Sequence, residues 1–420
     1  METLGLFALF PILLVLRQSV ILILLAATAY VHLVWGDGYI VYLIEDIWTA
    51  MDNSVLLAIP MFIIAGALMS RGSIAERLIE IVSAATQWMP GGLGFATILS
   101  CALFAAISGS SPATLLAVGA VMYPALKTAG YTRSFALGAV TSAGTLGIII
   151  PPSIPLIIYG IITETSIVDL FLAGIIPGVL LTLALGLYSV IRNRHVPRTA
   201  FSLPRLVAAL RNGIWSLLLP VILLGGIYSG YFSPTEAAAV SVGYALLIEI
   251  FIHRELGIRD FFAVGLQTAQ MLGTLFPIVA VALSIKTILA IEGIPQDFAS
   301  WLQGAVSSKI AFLLAVNAAL LIIGCLIDVV SAILLLGPIL FAAAHSFGIN
   351  PVHFGIIMVI NLEIGLLTPP VGLNLLVAMT AFRERFRDIC VSVLPFIAIM
   401  IGILLLVTFI PQLSLLFVTP

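Results

Sequence analysis

Ser108-Gly109-Ser110-Ser111-Pro112-Ala113-Thr114 opens the stretch that decides the fold. Gly144-Thr145-Leu146-Gly147-Ile148-Ile149-Ile150-Pro151-Pro152-Ser153-Ile154-Pro155 closes it. Between them runs an apolar segment and one polar turn, from Lys127 to Arg133. This is membrane material, yet neither cluster suits a continuous helix. Proline has no N–H, and its ring clashes with the carbonyl four residues back. Pro112 therefore frees the carbonyl of Ser108, and Pro151, Pro152 and Pro155 free those of Gly147, Ile148 and Pro151. In hydrocarbon such carbonyls are tolerated only where protein or a wet cavity receives them. Carbonyl and serine oxygens gathered at one depth are hard ligands, which suits a small cation.

The pattern occurs twice. Pro151-Pro152 and Pro369-Pro370 lie 218 positions apart (369 − 151). At that offset Gly119 falls on Gly337, Gly130 on Gly348, Gly147 on Gly365, and Ser110 on Asp328. The second copy reads Gly324-Cys325-Leu326-Ile327-Asp328, an apolar run, then Gly365-Leu366-Leu367-Thr368-Pro369-Pro370-Val371-Gly372-Leu373-Asn374. Two halves interrupted at matching places point to the binding site of a secondary transporter.

Composition agrees. Hydrophobic residues make up 62% of the chain and charged ones 9%, against about 25% charged in globular domains. Long unbroken apolar runs exclude a barrel, whose strands would alternate. Cys101, Cys325 and Cys390 are isolated, so neither a disulfide framework nor a metal cluster is suggested. Residues 1–35 lack a basic leader and a cleavage site and read as retained membrane segments.

In chain order, Leu4–Leu16 and Ser19–Trp35 are apolar, and Tyr39–Asn53 is an interfacial segment. Val55–Ser70 can span, and Ile74–Trp88 is amphipathic and predicted to lie in the membrane plane. Gly91–Lys127 is too long for one span and breaks at Gly109–Pro112, which predicts a re-entrant hairpin. Arg133–Ile162 is a span broken at the diproline, and Leu170–Ile191 returns. A loop bearing Arg192, Arg194, Arg198, Arg205 and Arg211 follows. Ile214–Tyr231, Glu236–Ile252 and Phe261–Ile291 are spans, and Glu292–Ser308 lies at an interface. Ile310–Phe347 is a second hairpin broken near Asp328, Pro351–Phe382 a second broken span, and Ile389–Pro411 the last.

The rule that Lys and Arg stay cytoplasmic tests this layout. With the Arg192–Arg211 loop inside, Arg17, Arg71, Arg77, Lys127, Arg133, Arg254, Arg259, Arg383, Arg385 and Arg387 also fall inside. Only Lys286 and Lys309 remain of the seventeen basic residues. The first hairpin then opens to the cytoplasm and the second to the outside, so the repeats are inverted.

Site 1 is expected at Ser108, Ser110 and Ser111, facing carbonyls near Gly147, Ile148 and Pro151. Site 2 is expected at Gly324, Asp328 and Thr368 with Gly365, Leu366 and Val371. Helix N-termini favour anions and C-termini cations, so a carboxylate and a sodium ion can share one hairpin tip. Ser111, Thr145, Asn361 and Asn374 are the candidate substrate contacts. An acid at membrane depth is functional by default, which singles out Asp328. Glu363 carries a proton or pairs with a buried donor, and Lys286 snorkels. Small residues also serve close packing, so no single serine decides the matter. An enzyme is disfavoured: the five histidines fit no His-Glu-x-x-His, and no nucleophile elbow, phosphate loop or nucleic-acid patch appears. A channel fits two opposed broken repeats less well than alternating access does.

Beyond the two clusters, Pro124-Ala-Leu-Lys-Thr-Ala-Gly-Tyr131, Asn350-Pro-Val-His-Phe-Gly-Ile-Ile-Met358, Leu57-Ala-Ile-Pro-Met-Phe62 and Arg71-Gly-Ser-Ile-Ala-Glu-Arg-Leu78 add to the pattern. Together the chain resembles the large membrane subunit of tripartite ATP-independent periplasmic (TRAP) transporters, over nearly its whole length. The resemblance implies an all-α polytopic protein of the bacterial inner membrane. It implies an elevator fold, with transport-domain repeats at 91–165 and 309–382. Scaffold and arm helices then occupy 1–90, 166–308 and 383–420. It further implies sodium-driven uptake of an organic acid, such as a C4-dicarboxylate or sialic acid, delivered by a periplasmic binding protein. A small four-helix membrane subunit is the expected partner and lipid the surroundings. No covalent cofactor is expected, only coupling sodium at about two sites, one per helix break. A stand-alone sodium/dicarboxylate symporter of related architecture is the alternative.

Overall fold

Helix starts in this chain are written largely in serine and proline. Ser153, Ser166, Ser202, Ser233 and Ser308 each accept a backbone N–H from the first turn that follows, as do Thr132, Asn350 and Asp328. Such caps satisfy amides that a helix cannot bond internally. Pro112, Pro155, Pro204 and Pro234 stand just inside a start, where the missing N–H costs nothing.

The computed structural model describes residues 12–13, 16, 18, 20–34, 41–306 and 308–418. The expected segment Leu4–Leu16 falls almost wholly outside them. Nineteen α-helices follow among the described residues: α1 (Val20–Val34), α2 (Val41–Met51), α3 (Ala58–Arg71), α4 (Ile74–Thr86), α5 (Gly92–Ser108), α6 (Ser111–Thr128), α7 (Arg133–Ala143), α8 (Ile154–Thr163), α9 (Ile167–Arg192) and α10 (Leu203–Tyr228). The rest are α11 (Pro234–Leu247), α12 (Ile258–Ile291), α13 (Ile294–Ala305), α14 (Lys309–Gly324), α15 (Val329–Ser346), α16 (Pro351–Gly365), α17 (Leu373–Phe382), α18 (Phe386–Phe409) and α19 (Gln412–Leu415). Among the described residues seven segments are long and apolar enough to cross a membrane, including Ser54–Arg71, α9, α10, α12 and α18. Val329–Ser346 is also one of the seven, so length alone does not mark it as half of a hairpin.

The 218-residue offset carries into the helices. α6 shifted by that amount coincides with α15 at both ends, and α7 starts where α16 starts. Both diproline bonds are cis. Gly130 and Gly348 both take positive φ after these helices, a conformation glycine adopts without a Cβ penalty. There Tyr131 N–H returns to the Leu126 carbonyl and Ile349 N–H to that of Ala344, 3.1 and 3.0 Å. The same turn closes each copy.

One expected boundary is corrected. Arg205 and Arg211 do not lie in a loop, because α10 begins at Leu203. Ser202 caps it, Pro204 enters it, and Ala209 packs with Ile81 and Ala84 of α4 in a small satellite core. The basic loop shrinks to residues 193–202. α4 is fastened rather than loose: fully buried Glu249 accepts the Ile74 N–H at 2.9 Å, and Arg77 reaches the Asn212 carbonyl and Glu255. A Cβ at Gly72 would meet that Glu249 carboxyl at 2.2 Å. Lys286 does not simply snorkel. It donates to Glu164 at 2.7 Å and holds that carboxyl below its usual range. Between α17 and α18, Glu384 is likewise held low by the Arg133 guanidinium, with Tyr123 donating to it as well.

Candidate functional site

Each tip is stitched to the far half of the adjoining broken helix by its own backbone. The α5–α6 tip uses Gly109, whose φ of +59° turns the chain and whose carbonyl accepts the Ile154 N–H at 3.3 Å. The α14–α15 tip uses Cys325, whose carbonyl accepts from Val371 and Gly372, 3.3 and 3.4 Å. These bonds bring four helix starts together: α6 and α15 from the tips, α8 and α17 from the broken helices. A cavity of about 280 Å³ lies among them, closed on one side by Met271, Thr274, Leu275 and Ile278 of α12. Ser110, Ser111, Ile154, Val329 and Leu373 line it at the four starts. Asp328 is the one charged side chain among the described lining residues. Unpaired amides at a helix start make it an anion site. Here Asp328 already serves α15, accepting from the Ser331 N–H at 3.0 Å and its hydroxyl at 2.5 Å. Ser110, its counterpart at the offset, caps α6 without using its side chain.

The site 1 residues divide. Ser108 Oγ lies 2.8 Å from Thr114 Oγ1, and Thr114 Oγ1 donates to the Ser110 carbonyl at 2.9 Å. Gly147 lies against both: a Cβ there would stand 2.6 Å from the Ser110 carbonyl oxygen and 2.7 Å from Thr114 Oγ1. Ser108, Ser110 and Gly147 thus meet, joined by Thr114, which the sequence motif contained but did not single out. The Ile148 carbonyl is not free, since Ser153 Oγ donates to it at 2.5 Å. Pro151 is turned toward Gly174 of α9. Ser111 Oγ accepts from Asn374 Nδ2 at 2.7 Å, tying the first tip to the second break.

At site 2, Gly324 and Gly365 touch backbone to backbone; a Cβ on Gly365 would come within 2.5 Å of the Gly324 carbonyl carbon. The Leu366 carbonyl accepts the Asn374 N–H at 3.1 Å, and Thr368 Oγ1 donates to the Ile364 carbonyl at 2.9 Å. The Val371 side chain is exposed.

Of the substrate candidates, Ser111 lines the cavity, and Asn374 stands behind it with Oδ1 unpartnered. Thr145 and Asn361 do not line it. Asn361 is fully buried and donates to Asn317 of α14 at 2.6 Å, a brace continued by Asn317 to Thr408 of α18. Thr145 Oγ1 meets Glu363 Oε1 at 2.8 Å, and the two are separated by 218 residues, the repeat offset itself. Equivalent positions in contact mark where the copies meet. Glu363, fully buried, therefore pairs with a hydroxyl rather than facing solvent.

Among the described residues the chain is all helical, with seven helical segments long and apolar enough to cross a membrane and two paired helix breaks meeting at one cavity, which is the build of a polytopic membrane protein. The comparisons agree. The chain superposes on the crystal structure of the YdaH transporter of Alcanivorax borkumensis, with TM-score 0.58, 13% identity, and 82% of this chain and 84% of that one covered. That likeness is one of fold. The chain belongs to the family described as the DctM component of tripartite ATP-independent periplasmic transporters, which it matches over residues 7–413. It is 44% identical to the C4-dicarboxylate TRAP transporter large permease protein DctM of Pseudomonas aeruginosa, covering 87% of this chain and 86% of that one. It is 39% identical to the isethionate TRAP transporter permease protein DctMQ of Oleidesulfovibrio alaskensis, covering 91% of this chain and 61% of that one. It is a TRAP large permease, a multi-pass protein of the bacterial inner membrane.

Proposed function

We propose that this permease imports a small organic anion, delivered by a periplasmic binding protein and driven inward by sodium, together with a small membrane subunit. α5–α8 and α14–α17 move as one body against the remaining helices, the two helix pairs acting as re-entrant hairpins of inverted repeats. The observation that carries this reading is the convergence of four helix starts on a cavity with no lysine or arginine among its described lining residues. Helix starts hold an anion without a fixed cation that would compete for it. Sodium is best placed at Ser108 Oγ, Thr114 Oγ1 and the Ser110 carbonyl, three neutral oxygens that already crowd together. The second site keeps Asp328 as its charged ligand.

The test is uptake into proteoliposomes holding both membrane subunits, with the binding protein outside and succinate or isethionate as the solute. Uptake should require an inward sodium gradient and stop when this chain is reconstituted alone. Ser108→Ala and Thr114→Val should each raise half-saturating sodium by roughly 5- to 10-fold, the worth of one hydrogen-bond-sized ligand. Undiminished uptake on a proton gradient without sodium would show that the driving ion is wrong.

Sidedness has its own check. A cysteine replacing exposed His195 should resist impermeant thiol reagents added from the periplasm, whereas one replacing exposed Ser300 should react. The reverse labelling pattern would overturn the inverted arrangement.

A further inference from the structure

We propose a second anion site on the release side of the cavity, where Arg71 and Thr268 hold the departing carboxylate or sulfonate before it reaches the cytoplasm. The proposal rests on the sidedness and substrate class given above. Its basis is a separate cavity of about 320 Å³ between α3, the first tip and α12, within the range of roughly 300–1,000 Å³ usual for small-ligand pockets. Ser110 and Met271 line this cavity and the first one alike, so they form the partition between the two. Beyond that partition the lining changes character. It gains Ser70, Arg71, Ser108, Gln267 and Thr268.

Two of these groups lack what their chemistry demands. Thr268 lines this cavity, is 3% exposed, and its Oγ1 has no hydrogen-bond partner among the described residues. A buried polar atom left unpaired calls for an explanation, and a bound solute supplies one. Arg71 spends only Nε on Asp260, at 2.9 Å, and its two terminal nitrogens have no partner among the described residues. Those nitrogens form the planar fork that matches a carboxylate. Asp260 is itself occupied, also accepting the Gly257 N–H at 3.1 Å. It steadies the guanidinium while leaving the fork open. Arg71 is 47% exposed, so its pull on an anion is screened by salt. A weak site of this kind draws the anion past Met271 and then lets it go.

The test is thiol protection in inside-out membrane vesicles holding the complete transporter, with Cys101, Cys325 and Cys390 replaced by alanine and Thr268→Cys as reporter. Succinate or isethionate at millimolar concentration should slow labelling at least about 3-fold, as occupancy above the dissociation constant requires. Dimethyl succinate, which is uncharged, should not. Adding Arg71→Gln should remove the protection. Ser70→Cys, in the same cavity, serves as reporter if Thr268→Cys does not assemble. Equal labelling with and without both anions, or protection that survives Arg71→Gln, would overturn the proposal. The labelling needs no uptake. A wild-type transporter that imports neither anion would count against the transport reading, and protection would still decide the site.

Discussion

Asn374→Asp should abolish uptake, lowering it at least about 100-fold, while the assembled complex still elutes as one species from a sizing column. Asn374 is fully buried behind the cavity wall, with Nδ2 on Ser111 and Oδ1 unpartnered. A carboxylate there either stays charged or becomes protonated. If charged, it sits among four helix starts and takes up the positive potential that the solute needs. Truncating or mischarging one partner of a buried polar pair costs about 3–5 kcal/mol when a charge is left uncompensated, which sets the size of the loss. Ser111→Ala should cost less, about 1–3 kcal/mol for one orphaned amide. The double variant should show coupling, because the two groups touch. Wild-type uptake by Asn374→Asp would mean that the anion does not lie among these helix starts.

Breaks and repeats were readable because proline and glycine act locally. Pro112 and Pro151-Pro152 announce where a helix ends whatever surrounds them, and the matching offset made the second copy visible. Which side of a helix faces the cavity was not readable. Every residue of α16 from Val352 to Gly365 is buried, so no amphipathic stripe distinguishes Asn361, which braces α14, from a cavity residue. The Ser111–Asn374 bond joins groups 263 residues apart and leaves no local trace. The expectation of free carbonyls failed at Ile148 for a definable reason: Ser153, placed just past the diproline, folds back onto it. The start of α10 has local signals in Ser202 and Pro204, but the run of arginines from Arg192 to Arg211 has the composition of a solvated loop and outweighs them. The second cavity depends on α12 crossing the first tip, a tertiary contact that no spacing encodes.

Glu363→Ala should leave the protein assembled yet reduce uptake by roughly 10- to 100-fold, whereas Glu363→Gln should stay within about 3-fold of wild type. The magnitudes follow from losing one buried hydrogen bond and exposing its partner, about 1–3 kcal/mol. The contrast follows from counting hydrogens. Thr145 Oγ1 lies 2.7 Å from the Ser142 carbonyl and 2.8 Å from Glu363 Oε1, but a hydroxyl has one hydrogen. If it goes to Ser142, the contact with Glu363 needs a hydrogen from the acid, and a glutamine N–H can supply the same bond. Glu363 and Thr145 occupy equivalent places in the two copies, each six residues before the first proline of its diproline, Pro369 and Pro151. Their bond therefore joins the two breaks directly, and with it the two sodium positions proposed beside them. A ligand shifts a two-state body only through its differential affinity for the states, so a rigid link lets sodium at one break favour closure at the other. Glu363→Ala should accordingly flatten the sodium dependence of uptake as well as lower its rate, and Thr145→Val should do the same. A steep sodium curve in both variants would show that the bond is packing and carries no coupling. Loss of uptake in Glu363→Gln equal to that in Glu363→Ala would show instead that the acid must ionise during transport.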